Sequence, residues 1–207
     1  MPHPYSSPSQ EHGMTRTVGI YVFDNVEVLD FAGPYEVFTC ADRVGGGELF
    51  RVRTIGASQA PLRARAGLSV HPEAGFAGAG KIDVLIIPGG VVAAELAKPE
   101  VIAWIAGMAP DCELVASVCT GAFLLAQAGL LDGQEVTTHW EDIADLRAGW
   151  PQVRVREDRR WIDNGRTVTS GGISAGIDMS LHLVERLAGR ELALRTARQM
   201  EYDWNEA

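Results

Sequence analysis

The sequence predicts an α/β domain: a mostly parallel sheet with helices on both faces and a small hairpin. Three observations carry this. Short β-rich apolar runs alternate with amphipathic stretches, the pattern of parallel strands joined by helical crossovers. Two of the runs, residues 82–87 (IDVLII) and 113–118 (ELVASV), stop abruptly at Pro88-Gly89-Gly90 and Cys119-Thr120-Gly121. A pair of extended segments flanks Asn164-Gly165, a strong hairpin-turn dipeptide.

The elements follow in order. A strand is predicted over residues 17–23 (TVGIYVF), β-rich and short enough to be buried. Pro34 suits the first turn of the next helix, where its missing N–H costs nothing; that helix is expected to reach about Asp42, and Gly45-Gly46-Gly47 breaks the chain. Residues 50–57 form the second strand and 62–71 an extended segment of hairpin type. After 82–87, Val101, Ile105 and Met108 share one face of a helix. Strand 113–118 leads through Cys119 into a helix carrying Phe123, Leu124 and Leu125 and ending near Gly129. A short strand at 135–138 precedes His139-Trp140 and a short helix at 141–147. Strand 166–170 ends at Gly171-Gly172, Ser174 is placed to cap a helix with Ile177, Leu181 and Val184 on one face, and a last helix spans roughly 191–202.

The 207 residues, 46% hydrophobic and 22% charged, suffice for one sizeable core. Residues 1–16 are polar, rich in Pro, Ser and His, and lack the apolar run of a secretory leader. They read as a disordered tail, leaving 17–207 as a single domain, with Met14 a candidate start. No stretch approaches the length of a membrane span. A net charge of −9 argues against a broad nucleic-acid footprint, which needs a basic patch. Three cysteines exclude a fully paired disulfide framework and suit a reducing cytoplasm. No Cys/His spacing suits zinc, so no metal is expected.

In open α/β sheets ligands bind beyond the carboxyl ends of the strands. Asp30, Gly89-Gly90, Cys119-Thr120 and Gly171-Gly172 all fall there. Cys119 sits at a strand-to-helix turn resembling a nucleophile elbow, although GxSxG is absent. Free N–H groups at a helix start favour the thiolate, and a pKa below the free value of about 8.5 is expected; a buried structural cysteine is the competing reading. Gly89 and Gly90 N–H groups could form an oxyanion hole or merely a strand exit. Asp30 could face Cys119 in protonated form or cap its helix. His139 could act as base or orient the thiolate, or pack beneath a loop beside Trp140. Cys40 reads as helix packing and Cys112 as a loop thiol.

Five ordered blocks carry a family resemblance: Leu29-Asp30-Phe31-Ala32-Gly33-Pro34, Ile87-Pro88-Gly89-Gly90, Ser117-Val118-Cys119-Thr120-Gly121, Thr137-Thr138-His139-Trp140 and Gly171-Gly172-Ile173-Ser174-Ala175-Gly176-Ile177-Asp178. From Thr17 to about Tyr202 the chain resembles the ThiJ/PfpI superfamily, which is class I glutamine amidotransferase-like. The resemblance implies a flavodoxin-like three-layer sandwich. Peptidase members carry histidine after the nucleophile, where this chain has Thr120. Cys-Thr-Gly with Thr-Thr-His-Trp is similar to the branch of isocyanide hydratases and AraC-type ligand domains. The regulators add a helix-turn-helix domain, which is not expected in a chain stopping at Ala207.

That branch implies a cofactor-free lyase acting on a small molecule. Cys119 would be the nucleophile, Asp30 the acid and Thr120 the support of sulfur or acid, with Gly89, Gly90, Gly172 and Ile173 shaping the pocket. A glyoxalase- or deglycase-like hydrolase with His139 as base, and a small-molecule or redox sensor, stand as alternatives. A homodimer is expected from the superfamily, with Phe31 and Tyr35 on an exposed helix face. A polar tail buries little apolar area, so a chain begun at Met14 is expected to melt at nearly the full-length temperature; a loss of several degrees in calorimetry would show that the tail docks.

Overall fold

The structure, a computed structural model, describes residues 15–206. The expected tail therefore lies outside the described residues except at its end. There the Thr15 hydroxyl donates to the Glu48 carbonyl at 2.8 Å and Arg16 already begins a strand.

Strands β1 (Arg16–Tyr21), β2 (Phe50–Gly56), β3 (Leu62–Arg63), β4 (Ser69–Val70), β5 (Ala74–Gly75), β6 (Val84–Ile87), β7 (Leu114–Val118), β8 (Glu135–Val136), β9 (Arg154–Val155), β10 (Trp161–Asp163) and β11 (Thr167–Ser170) alternate with helices. The helices are α1 (Val28–Gly45), α2 (Ala93–Leu96), α3 (Pro99–Met108), α4 (Gly121–Gln127), α5 (Ile143–Gly149), α6 (Ala175–Ala188) and α7 (Arg190–Gln199). The main sheet runs β10-β11-β7-β6-β1-β2-β5, parallel except for β10, which pairs antiparallel with β11 across Asn164-Gly165. Helices α1, α6 and α7 pack together as one layer and α2, α3 and α4 as another. This is the three-layer α/β arrangement the sequence predicted.

The central strands are apolar because both faces are covered: every residue of β6 and β7 is buried. From β1 the chain crosses to β2 on one side and, after the β3–β4 hairpin and β5, to β6 on the other. That reversal opens a crevice at the carboxyl ends of β1 and β6. Register aligns those ends, with Ile87 beside Ser117 and Val118 beside Ser170. The turns after β6, β7 and β11 consequently emerge side by side. Among the described residues no helix is long and apolar enough to cross a membrane.

Several local expectations are corrected. Pro34 lies inside α1, which starts earlier because the Glu27 carboxylate accepts the Val28 N–H at 3.2 Å. Lacking an N–H, Pro34 leaves the Asp30 carbonyl without its usual helical partner. The helix also runs past Asp42 to Gly45, stopping at Gly46 in a left-handed turn (φ 111°). Ser174 makes no capping bond; its hydroxyl accepts from Arg160 instead. The short β5, β9 and α2 were not expected, and the strand expected at 135–138 is cut to β8, Glu135–Val136, which pairs with β9 in a separate sheet. The last helix ends at Gln199, short of Tyr202.

One close approach sets the depth of the crevice. A Cβ on Gly121 would lie 2.0 Å from the Ile87 carbonyl oxygen and 2.9 Å from that of Pro88. Glycine thus lets α4 start directly against the end of β6. Backbone cannot yield as a side chain tip does, so Gly121→Ala should cost about 2 kcal/mol or more in urea denaturation. An unchanged midpoint would mean that α4 slides freely.

Candidate active site

Cys119 leaves β7 with φ 56°, the left-handed conformation of a side chain held at a sharp elbow. Its backbone is pinned on both sides. The N–H donates to the carbonyls of Ser170 (3.3 Å) and Gly171 (3.2 Å), and the carbonyl accepts the Thr138 hydroxyl at 2.7 Å. Thr138 is buried and was not read as a site residue. Its nearest sequence signal is its place in Thr-Thr-His-Trp.

Asp30 lies in the first turn of α1, fully buried. It does not cap the helix; Glu27 does. Its Oδ2 accepts the Gly89 N–H and its Oδ1 the Ile173 N–H, each at 3.1 Å, and its carboxyl interacts with the Cys119 thiol. Ile173 holds φ 56° to deliver that N–H. The Gly90 N–H donates to the Thr120 hydroxyl at 2.9 Å, and that hydroxyl lies 2.9 Å from the Gly90 carbonyl. Both glycine N–H groups are therefore engaged within the protein, which replaces the expected oxyanion hole with a cradle for Asp30 and Thr120. Gly89 is also sterically required: a Cβ there would meet Thr120 N at 2.5 Å and Cys119 Cβ at 2.9 Å.

His139 reaches the centre across Gly172. A Cβ on Gly172 would be 2.2 Å from His139 Cδ2 and 3.3 Å from Cys119 Sγ, so ring and sulfur both come close to that point. His139 Nδ1 lies 3.2 Å from Asp142 Oδ2. Asp142 was missed by the sequence reading, although its separation of three residues allows it to orient the ring.

The structure thus brings together Cys119, Asp30, Thr120, His139, Gly89, Gly90, Gly172 and Ile173. The electrostatics reverse one expectation. Burial and the adjacent Asp30 carboxylate push the thiol above its ordinary range; the Thr120 N–H and hydroxyl pull the other way, and Asp142 adds to the rise. Helix α4, seven residues long, does not offset this. Burial also raises Asp30 to about 6, against the Gly89 and Ile173 donors. With both values raised, the pair holds one proton and one negative charge from about pH 6 upward. Cys40 and Cys112 are buried away from this centre, and burial raises Cys112 to about 11. Among the described residues no three His, Cys, Asp or Glu side chains group as metal ligands.

Fold and elbow define a class: α/β proteins with a cysteine at the turn between a central strand and its helix. Residues 16–186 match the DJ-1/PfpI family, and the chain belongs to it. It is 33% identical over 190 residues to isonitrile hydratase of Pseudomonas putida, covering 91% of this chain and 79% of the hydratase. It is 32% identical over 188 residues to the HTH-type transcriptional regulator GbdR of Pseudomonas aeruginosa, covering 91% of this chain and 51% of the regulator. The chain thus spans about half the length of that regulator. A ThiJ/PfpI family protein from Pseudomonas syringae superposes with a TM-score of 0.82 at 26% identity, covering 98% of this chain and 84% of the other.

The shared proton gives a pH test. Below about pH 6 the pair carries two protons and no base is available for the thiol; above it the carboxylate can take the thiol proton. Alkylation of Cys119 by iodoacetamide, followed by mass spectrometry, should climb through a midpoint near 6 and then level off. In Asp30→Asn that limb should vanish. A wild-type rise only near the free-thiol value of about 8.5 would show that the two groups titrate independently.

Proposed function

We propose that this chain is a cofactor-free isocyanide hydratase that converts an organic isocyanide and water into an N-substituted formamide. The observation that carries the reading is the buried Asp30–Cys119 pair, with each carboxylate oxygen held by a backbone N–H. The similarity to isonitrile hydratase supports it.

The pair supplies each proton the reaction needs. Cys119 sulfur attacks the terminal carbon of R–NC while Asp30 takes the thiol proton and delivers it to that carbon. The product is a thioimidate, R–N=CH–S. Asp30, again a carboxylate, draws a proton from water as the water oxygen bonds to carbon, and passes it to nitrogen. The tetrahedral adduct then collapses: the C–S bond breaks, the hydroxyl proton returns to sulfur through Asp30, and R–NH–CHO departs. Atoms balance and the pair is restored. The Thr120 N–H supports the sulfur, while its hydroxyl donates to the Gly90 carbonyl.

Two other readings rest on particular observations. The His139–Asp142 contact favours a glyoxalase- or deglycase-like hydrolase, with the histidine as base toward a small carbonyl. The similarity to GbdR favours a small-molecule or redox sensor, possessing the pocket without turnover. Homodimer formation belongs with any of these; Phe31 is buried and Tyr35 half-buried, so α1 presents less apolar surface than its sequence promised.

A panel of isocyanides and 2-oxoaldehydes separates the readings. General acid–base catalysis contributes about 10² to 10⁴ in rate. Asp30→Asn should therefore lose at least about a hundredfold in kcat/KM on isocyanides, roughly 2.7 kcal/mol of barrier, while His139→Asn loses much less. The reverse order, on 2-oxoaldehydes, would establish the hydrolase. Turnover of neither class by the wild type would favour the sensor. Asparagine leaves one of the two N–H donors without an acceptor, so melting temperature must accompany the kinetics.

A further inference from the structure

Arg160, partly exposed, and the buried Asp178 form an ion pair that the chemistry above does not use. Asp178, in α6, is fully buried, and Arg160 Nε donates to its Oδ2. The pair is tied in two directions. Toward the site, the Arg160 carbonyl accepts the Gly171 N–H at 2.9 Å, and its guanidinium donates to the Ser174 hydroxyl at 3.1 Å. Arg160 thus grips residues 171–174 at both ends. Away from the site, the Asn205 N–H donates to Asp178 Oδ1 at 2.9 Å and Trp204 Nε1 to the Asp178 carbonyl at 3.1 Å. Tyr202 hydrogen-bonds to Arg160, and the Arg190 guanidinium lies 5.7 Å from the Trp204 ring centroid.

We propose that Arg160 and Asp178, strapped by the C-terminal segment, are positioning residues that clamp the Gly171–Ser174 turn and so set the Ile173-to-Asp30 hydrogen bond. The turn needs a clamp. A β-branched residue at φ 56° persists only where its surroundings hold it. Burying the Asp178 carboxylate is costly and a poor route to stability, whereas a planar guanidinium can hold a carboxylate and a hydroxyl in fixed directions at once. The clamp rests on the Asp30–Cys119 pair described above, independent of the substrate.

Groups facing the pair are Glu27 and the Gly89 N–H beside Asp30, Thr120 and Asp142 beside Cys119, and His139 across Gly172. The Ile173 donor and Gly172 are the parts of this surround that lie on the clamped turn. Weakening a hydrogen bond to the carboxylate favours its protonated form, so releasing the clamp moves the acid limb of Cys119 reactivity upward.

The test is iodoacetamide alkylation of Cys119 across pH in Arg160→Met, Arg160→Lys, Ser174→Ala and Trp204→Ala. In Arg160→Met the midpoint should rise by about half a pH unit or more, with Arg160→Lys between it and wild type. Ser174→Ala and Trp204→Ala should shift it less, in the same direction. A folded Arg160→Met, judged by circular dichroism, with the wild-type midpoint overturns the proposal. Should Arg160→Met not fold, wild-type midpoints in both Ser174→Ala and Trp204→Ala overturn it. Failure to hydrate isocyanides leaves the clamp standing, because alkylation needs only the pair. A wild-type profile without the limb near 6 removes the pair and the clamp together.

Discussion

The buried pairing of the Asp30 carboxyl with the Cys119 thiol governs how this end of the molecule is built. A carboxyl raised from its ordinary value of 3.8 to about 6 is costly for the folded state. At pH 7 its ionised form is disfavoured by about 3 kcal/mol relative to an exposed aspartate. The sign follows from the shift: between about pH 4 and 6 the folded chain holds a proton the unfolded chain has released, so this group favours folding more as pH falls through that window. A comparable fraction of total stability is large for any domain. The fold tolerates it because two N–H donors, from the turns after β6 and β11, fix the two oxygens. Those turns meet the first turn of α1 near the point where strand order reverses, where β1 and β6 lie side by side.

Close approach is the second constraint. Gly121 brings α4 against β6, Gly89 leaves room for Thr120 and Cys119, and Gly172 leaves room for the His139 ring and the sulfur. Two non-glycine residues, Cys119 and Ile173, stand at φ 56°. Neither conformation is a local preference. The first is held by Ser170, Gly171 and Thr138, the second by the Asp30 oxygen and the turn that Arg160 grips. Strain sits beside the Cys119 sulfur and the Asp30 carboxyl because the surrounding hydrogen bonds over-determine Cys119 and Ile173.

These constraints explain what was legible in sequence. The order of the long elements was readable, because buried parallel strands are apolar runs and Asn164-Gly165 marks its hairpin. So was the elbow, since Cys119 ends one such run. Two-residue strands such as β5 and β9 carry no period to read. Pro34 misled because a helix interior tolerates proline when tertiary packing outweighs the lost hydrogen bond. The sign of the thiol shift was missed for a physical reason: local reasoning sees the helix start, while burial and the carboxylate come from α1, far away in sequence. Gly89 and Gly90 had the same difficulty, as their N–H partners Asp30 and Thr120 are fixed only by the tertiary fold. Asp142 and Arg160 look like surface charges in a list of residues and acquire meaning only beside His139 and Asp178.

The charge held at the site bears on which chemistry suits it. At neutral pH the pair carries one negative charge, with Glu27 raising Asp30 further and Asp142 raising Cys119 further. An anionic substrate or product would be repelled in this surround, where burial leaves little water to screen it. Isocyanides and formamides are both neutral, whereas a 2-oxoaldehyde converted to a 2-hydroxy acid leaves as a carboxylate. Proton balance points the same way. Asp30 has no exposed surface, so its proton exchanges through sulfur, substrate or bound water rather than directly with bulk solvent. Hydration returns to sulfur the proton it borrowed, and one turnover leaves the pair as it began. A route that releases a net proton needs a path outward, and among the groups at the centre His139, partly exposed and held by Asp142, is placed to provide it. The two carboxylates therefore divide the possibilities: Asp30 serves a closed proton cycle on the sulfur, and Asp142 serves whatever use the centre makes of the histidine.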